Sequence, residues 1–75
     1  MSYVDCAHLP DYIQDDLPPE GQELYRVAFN LAWDKYEDEE KRDKDYTREE
    51  LSHMAAWREI KDHYRQRENG KWVKK

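Results

Sequence analysis

The sequence predicts a small, mainly α-helical domain built on two long antiparallel helices, with a short helix and the chain termini covering the remaining apolar surface. Residues 24–36 are the densest apolar and aromatic run, and their spacing follows the period of a helix. Residues 51–64 repeat this spacing less densely. The 75 residues suffice for one domain, residues 1–75. Because 41% of them are charged and 37% hydrophobic, aromatic side chains must supply much of a lean core.

The first predicted element is a short N-terminal helix between two proline breaks. Leu9-Pro10 and Leu17-Pro18-Pro19 each interrupt a helix, because proline disfavours helical backbone in the residue before it. Residues 11–16 are long enough for one or two helical turns. We expect Tyr12 and Ile13 to face the core from this helix.

The longest predicted helix runs from about Pro19 to near Glu39, since proline is tolerated in a first turn. Asn30 is unusual in mid-helix, and its side chain either bonds a loop backbone or faces water. Residues 34–45 hold seven acidic and four basic side chains, which indicates a solvated helix end passing into a loop. The apolar arc is wider than a coiled-coil seam, so we expect neighbours on more than one side. It comprises Leu24, Tyr25, Ala28, Phe29, Ala32, Trp33 and Tyr36.

The next predicted helix begins at a capping box, with Thr47 at the N-cap and Glu50 three residues later. It runs to about Gln66 and ends before Asn69-Gly70, two residues that tolerate left-handed backbone. Its apolar face is expected to bring Trp57 into one core with Trp33. The last five residues form a tail with Trp72 docked on the domain, and we include a small β pairing of this tail with residues 3–4. The apolar face comprises Leu51, His53, Met54, Ala56, Trp57, Ile60 and Tyr64.

The charge is divided between the two parts of the chain. The net charge is −5, but residues 1–57 carry −9 and residues 58–75 carry +4. The acidic body should repel nucleic acid and anionic lipid, whereas the basic C-terminal part could attract them. The start of the chain has neither a basic nor a long apolar segment, so we expect no signal peptide and a cytoplasmic protein.

No residue pattern in the sequence points to catalysis, a metal or a cofactor. Cys6 and His8 lack the third group of a nucleophilic site and the further ligands of a zinc site. A calcium-loop alignment of the acidic run places Arg48 where glycine is needed and Met54 where a bidentate glutamate is needed. A phosphate loop and a metalloprotease motif are also missing. We therefore predict a protein that is not an enzyme and needs no cofactor.

The chain resembles the ChaB family, named "putative cation transport regulator", over roughly residues 3–75. The resemblance implies a small, mainly helical cytosolic protein associated with a sodium/calcium–proton antiporter of the inner membrane. It supplies no catalytic residues. The matching positions are Leu9-Pro10, Leu17-Pro18, residues 24–33, Arg48-Glu49-Glu50, His53, Ala56-Trp57, Lys61, Tyr64 and Trp72.

Two functions remain open at this point, beside a small metal-responsive protein that a calcium or zinc titration would test. The first is a regulatory or adaptor protein that binds another protein, such as the cytosolic face of the antiporter. Its candidate residues are Glu37, Asp38, Glu39 and Glu40. The alternative is a nucleic-acid-binding module with Tyr64 and Trp72 as stacking groups, whose basic residues are Arg65, Arg67, Lys71, Lys74 and Lys75.

Overall fold

The structure, a computed structural model, describes residues 3–75. In chain order it contains a 3-10 turn at Cys6–His8, then α1 (Asp11–Asp16), α2 (Pro19–Lys35), a second 3-10 turn at Glu39–Lys41, α3 (Arg48–His63), β1 (Tyr64–Gln66) and β2 (Trp72–Lys74). The predicted mainly helical class, with two long helices and a short N-terminal one, is confirmed.

The core lies between α2 and α3, which pack antiparallel. Near the end of α2, Trp33 meets the start of α3 at Arg48, and one turn earlier Phe29 lies 4.7 Å from His53 between ring centroids. Trp33 and Trp57 are half-buried and pack against the same cluster, as expected. The buried cluster of the core also includes residues from α1 and β1. It comprises Leu9, Ile13, Leu17, Tyr25, Phe29, Ala56, Ile60 and Tyr64.

The N-terminal segment is fastened to α2 by the side chain of Asn30. The Oδ1 atom of Asn30 accepts from the backbone N–H of Tyr3, and its Nδ2 donates to the carbonyl of Tyr3, both at 2.8 Å. Asn30 thus bonds a loop backbone, the first of the two alternatives. In α1, Ile13 is fully buried as expected, but the expectation for Tyr12 is wrong because its side chain is 56% exposed.

Helix α2 ends at Lys35, four residues earlier than predicted. The early end has a non-local cause. Arg48 donates from Nε to the carbonyl of Trp33 at 2.8 Å, and Arg42 donates to the carbonyls of Tyr36 and Glu37. Arginines that bond the last carbonyls of a helix replace the partners that another helical turn would supply.

Helix α3 begins as predicted but ends earlier. Both reciprocal bonds of the capping box are present between Thr47 and Glu50, each at 3.1 Å. The helix stops at His63 and not near Gln66, because residues 64–66 form β1.

A β-hairpin follows α3, and Asn69-Gly70 lie in the turn between its two strands. The antiparallel strands pair Tyr64 with Lys74 and Gln66 with Trp72. The β pairing of the tail therefore exists, but its partner is β1, and the predicted pairing with residues 3–4 is wrong. Gly70 has a φ of +87°, so it turns the hairpin instead of ending a helix.

Candidate protein-binding surfaces

An acidic segment, which we define as residues 37–40, lies on the loop between α2 and α3. All four of its residues, Glu37, Asp38, Glu39 and Glu40, are exposed. The backbone beneath them is ordered, because Asp38 Oδ1 accepts from the N–H of Glu40 at 3.0 Å and Arg42 donates to the carbonyl of Glu37 at 3.0 Å. The sequence-predicted protein-binding residues are therefore brought together on one short, anchored turn.

The basic residues of the alternative function lie on the β-hairpin and beside it, and all five are exposed. Two of them also serve the fold. Lys71 donates from Nζ to the carbonyl of Asp15 at 2.6 Å, and Lys74 Nζ lies 4.0 Å from a carboxylate oxygen of Glu20. The five residues are Arg65, Arg67, Lys71, Lys74 and Lys75.

The expected stacking groups of that alternative are both engaged in packing within the domain. Tyr64 is buried, with only 5% of its surface exposed. Trp72 is half-buried and packs on Trp57 with ring centroids 5.5 Å apart. The expectation that Trp72 docks on the domain is confirmed, and Tyr64 is too buried to stack on a base.

The antiparallel helices separate the two charged surfaces. The loop with residues 37–40 joins the end of α2 to the start of α3, whereas the hairpin follows the end of α3. Since the molecule measures 38 × 22 × 17 Å, the acidic segment and the basic hairpin lie toward opposite ends of an elongated shape. Other acids of residues 1–57 lie at the basic end, among them Glu20 beside Lys74.

A third surface, an apolar groove between α2 and α3, was not identified as a site from the sequence. Val27, Leu31 and Met54 line it and are 41%, 67% and 49% exposed. The groove has a volume of about 560 Å³. The wide apolar arc predicted neighbours on more than one side of α2, but it left out Val27 and Leu31, the exposed apolar α2 residues that line the groove. Among residues 3–75, no element covers the side that bears Leu31.

The titratable groups nearest the core serve structural contacts. The hydroxyl of Tyr25 and Nδ1 of His53 form a hydrogen bond beneath the half-buried His53 ring. Burial lowers the pKa of His53, and the Glu49 carboxylate, 3.7 Å from Nε2, opposes this shift. Burial also raises the pKa of Tyr25. Both groups are therefore neutral at pH 7, and the hydrogen bond joins two uncharged rings.

The single cysteine is not activated as a nucleophile. Burial raises the pKa of Cys6, and the Glu23 carboxylate, 3.3 Å from Sγ, raises it further. A protonated thiol is a poor nucleophile and a poor metal ligand. Among residues 3–75, no three His, Cys, Asp or Glu side chains lie close enough together to hold a metal ion.

Within residues 3–75, no helix is both long enough and apolar enough to cross a bilayer.

Comparison with known proteins gives consistent matches over nearly the whole chain. The model of the ChaB family matches residues 9–75. Proteins of Escherichia coli K12 and Shigella flexneri, both named "Putative cation transport regulator ChaB", are each 41% identical over 75 residues, which is 100% of this chain and 99% of theirs. An NMR solution structure of the "putative cation transport regulator ChaB" is similar with a TM-score of 0.83 and 41% identity, covering 97% of each chain.

Proposed function

The chain belongs to the ChaB family, and from this membership we propose that it is a non-catalytic regulatory protein that acts by binding another protein. The names of its relatives support a role in regulating cation transport. The proposed partner is the cytosolic face of a sodium/calcium–proton antiporter, and the proposed location is the cytoplasm.

The observation that carries this proposal is the exposed acidic segment on its anchored turn. Four consecutive carboxylates project from residues 37–40, at the end of the molecule opposite the basic hairpin. The cytoplasmic loops of membrane proteins are enriched in Lys and Arg. An acidic surface held by the backbone bonds of Arg42 meets such loops without first having to order itself.

The family-matching residues support recognition through the surface and not through a pocket of reactive groups. Tyr25, Phe29 and Ala56 are fully buried, and the polar match Asn30 is engaged with Tyr3. These side chains maintain the fold. The exposed charges of the acidic segment are therefore free of the core and available to contact a partner.

The test is to reverse all four residues of the acidic segment, Glu37, Asp38, Glu39 and Glu40, to Lys. A matched control reverses four exposed acids outside this segment, Asp5, Asp11, Asp62 and Glu68, and changes the net charge equally. Circular dichroism checks that both variants keep the fold. Association with the purified antiporter is then measured at several salt concentrations. We expect the first variant to lose most of the association rate and the control to keep it, because steering depends on where charge lies.

Wild-type protein that does not bind the antiporter, or equal binding by both variants, would remove this proposal.

The nucleic-acid alternative ranks second because Tyr64 and Trp72 are taken up by packing. It would be favoured by DNA binding with a steep salt dependence that disappears when Arg65, Arg67 and Lys71 are neutralised.

A further inference from the structure

The groove between α2 and α3 is a mainly apolar surface with Lys35 toward one end and Arg58, next to Glu59, toward the other. Leu31 and Val27 project from α2 and Met54 from α3, and all three are substantially exposed. Monomeric proteins rarely expose contiguous apolar patches larger than a few hundred Å², and the largest apolar patch on a monomer is often functional. Since the helices are antiparallel and side by side, the groove between them is straight and follows their length.

The two cations lie at different levels along this groove. Lys35 is in the last turn of α2 and its ammonium lies 5.2 Å from the Tyr36 ring centroid. Arg58 lies near the other end, because its neighbour Trp57 packs on Tyr25, near the start of α2. Leu24, which also lines that end, is eleven residues before Lys35, so the cations are separated by about 16 Å along the helices at ~1.5 Å per residue.

We propose that this groove binds an amphipathic α-helix of a partner protein that carries a carboxylate near each end of its apolar face. An α-helix laid in a groove contributes apolar residues at i, i+3 or i+4, and i+7. Acidic residues about three turns apart on such a helix would meet Lys35 and Arg58 while its apolar face covers Leu31. The groove is separate from the acidic segment. It would recognise an acidic helix, whereas the acidic segment would recognise a basic surface.

A second copy of this chain fits the groove poorly. If two grooves met face to face in reversed direction, Lys35 of one copy would lie against Arg58 of the other. If the two grooves met in the same direction, Lys35 would face Lys35 and Arg58 would face Arg58. In the reversed arrangement each contact would hold two cations and, among the lining residues, only one carboxylate, that of Glu59. An anionic membrane surface is also disfavoured, since the net charge is −5 and the site is concave.

The probe is a panel of synthetic helical peptides of about 18 residues, long enough to exceed the groove at ~1.5 Å per residue. Each has one apolar face, with the register varied across the panel, and Glu at two positions about three turns apart. A matched panel carries Lys at these positions. Binding to the full chain is followed by NMR chemical shifts of the ¹⁵N-labelled protein and by fluorescence anisotropy. We expect shifts centred on Val27, Leu31 and Met54 with the best Glu peptide.

Two variants and a control test the contacts. Leu31→Asp should weaken binding by about tenfold or more, as expected for a central apolar contact. Lys35→Glu combined with Arg58→Glu should reverse the preference from the Glu peptide to the Lys peptide. Val4→Asp alters a residue that is 83% exposed and outside the groove, and should leave binding unchanged. All substituted side chains are exposed, so thermal melts should stay close to that of the wild type.

Several results would overturn the proposal. The first is that no peptide of the panel shifts the groove residues, or that Glu and Lys peptides bind equally. Another is a wild-type dimer in sedimentation equilibrium that Leu31→Asp converts to monomer, because the groove would then be a self-interface. Capture of the wild type, but not Leu31→Asp, by phosphatidylserine vesicles would assign the surface to membrane. Reversal of residues 37–40 should leave peptide binding intact, so this proposal and the antiporter proposal can fail separately.

Discussion

A single arginine, Arg48, holds the start of α3 against the end of α2. Its guanidinium donates to the carbonyl of Trp33 at 2.8 Å and lies 4.0 Å from the centroid of the Trp33 ring. Both contacts are made by a group that is always charged and planar. The Arg48 side chain thus bonds a carbonyl at the end of α2 and also covers the ring of Trp33 at this end of the core.

We expect Arg48→Ala to lower the free energy of unfolding by about 1–2 kcal/mol, from one charged hydrogen bond and one cation–π contact. Arg48→Lys should recover only part of this, because an ammonium cannot stack as a plane while donating to the carbonyl. Urea denaturation of the three proteins measures the effect. Equal stability of wild type and Arg48→Ala would show that neither contact contributes.

A second residue-scale prediction concerns pH. Because burial lowers the pKa of His53 from its ordinary value of 6.5, the unfolded chain takes up a proton at a higher pH than the folded chain. The unfolded state then binds more protons, so stability rises with pH in that window. Stability should therefore fall as the pH drops below about 6.5 and level off below the lowered pKa of the folded state.

Thermal melts between pH 7.5 and 5.5 measure this effect. His53→Gln keeps a side chain that can accept from Tyr25 but does not titrate, and comparison with it removes the contribution of the exposed histidines His8 and His63. A pH dependence that is the same in this variant and in wild type would assign the effect to other groups.

At the scale of elements, the prediction from sequence succeeded where the signal is local. The capping box of Thr47 and Glu50 placed the start of α3 because both partners lie within one turn. The end of α3 was missed because Tyr64 follows Ile60 at helical spacing and is buried in either conformation. What decides against helix is pairing with residues 72–74, which lie beyond the reach of any local pattern.

The end of α2 was missed for a similar reason. The acidic run has no strong helix breaker, so its sequence allows the helix to continue. The bonds from Arg42 and Arg48 come from outside the helix and became visible only in the fold.

For the candidate surfaces, segregation of charge along the chain predicted the acidic segment and the basic hairpin. Periodicity gave the apolar arc of α2 but could not tell which flank would stay uncovered.

Gly70 gives an element-scale prediction for the hairpin. Its φ of +87° is unfavourable for a residue with a side chain, and a Cβ atom there would meet nothing within 4 Å. Gly70→Ala should therefore cost about 1 kcal/mol through backbone conformation alone, which corresponds to ~4–8 °C in melting temperature for a domain of this size.

A useful comparison for Gly70→Ala is the other glycine, Gly21→Ala, where a Cβ atom would lie 3.3 Å from Cδ of Pro18. That substitution acts by crowding Pro18 and Leu17, just before α2, and should leave the hairpin intact. Hydrogen exchange of the β1 and β2 amides separates the two effects. An unchanged hairpin exchange rate in Gly70→Ala would contradict the assignment of strain to the turn.

For the whole molecule, stability should depend on one face of α2 and be nearly insensitive to another. Phe29 is fully buried and Leu31, two residues later, is 67% exposed. Phe29→Ala should cost about 3–5 kcal/mol, which is a large part of the stability of a domain this small. Leu31→Ala should cost about 0.5 kcal/mol or less. Chemical denaturation of both variants checks the contrast, and similar losses would mean that the groove is closed in solution.

The three tryptophans are distributed so that one pair can report on the hairpin. The indole rings of Trp57 and Trp72 are 5.5 Å apart and inclined at 37°. Two identical chromophores at such a distance and angle couple their electronic transitions, which produces a split band in the circular dichroism spectrum. Trp57 belongs to α3 and Trp72 to β2, so the splitting exists only while the hairpin is docked. The protein therefore carries an internal optical signal for opening of its C-terminal end, and no added label is needed to observe it.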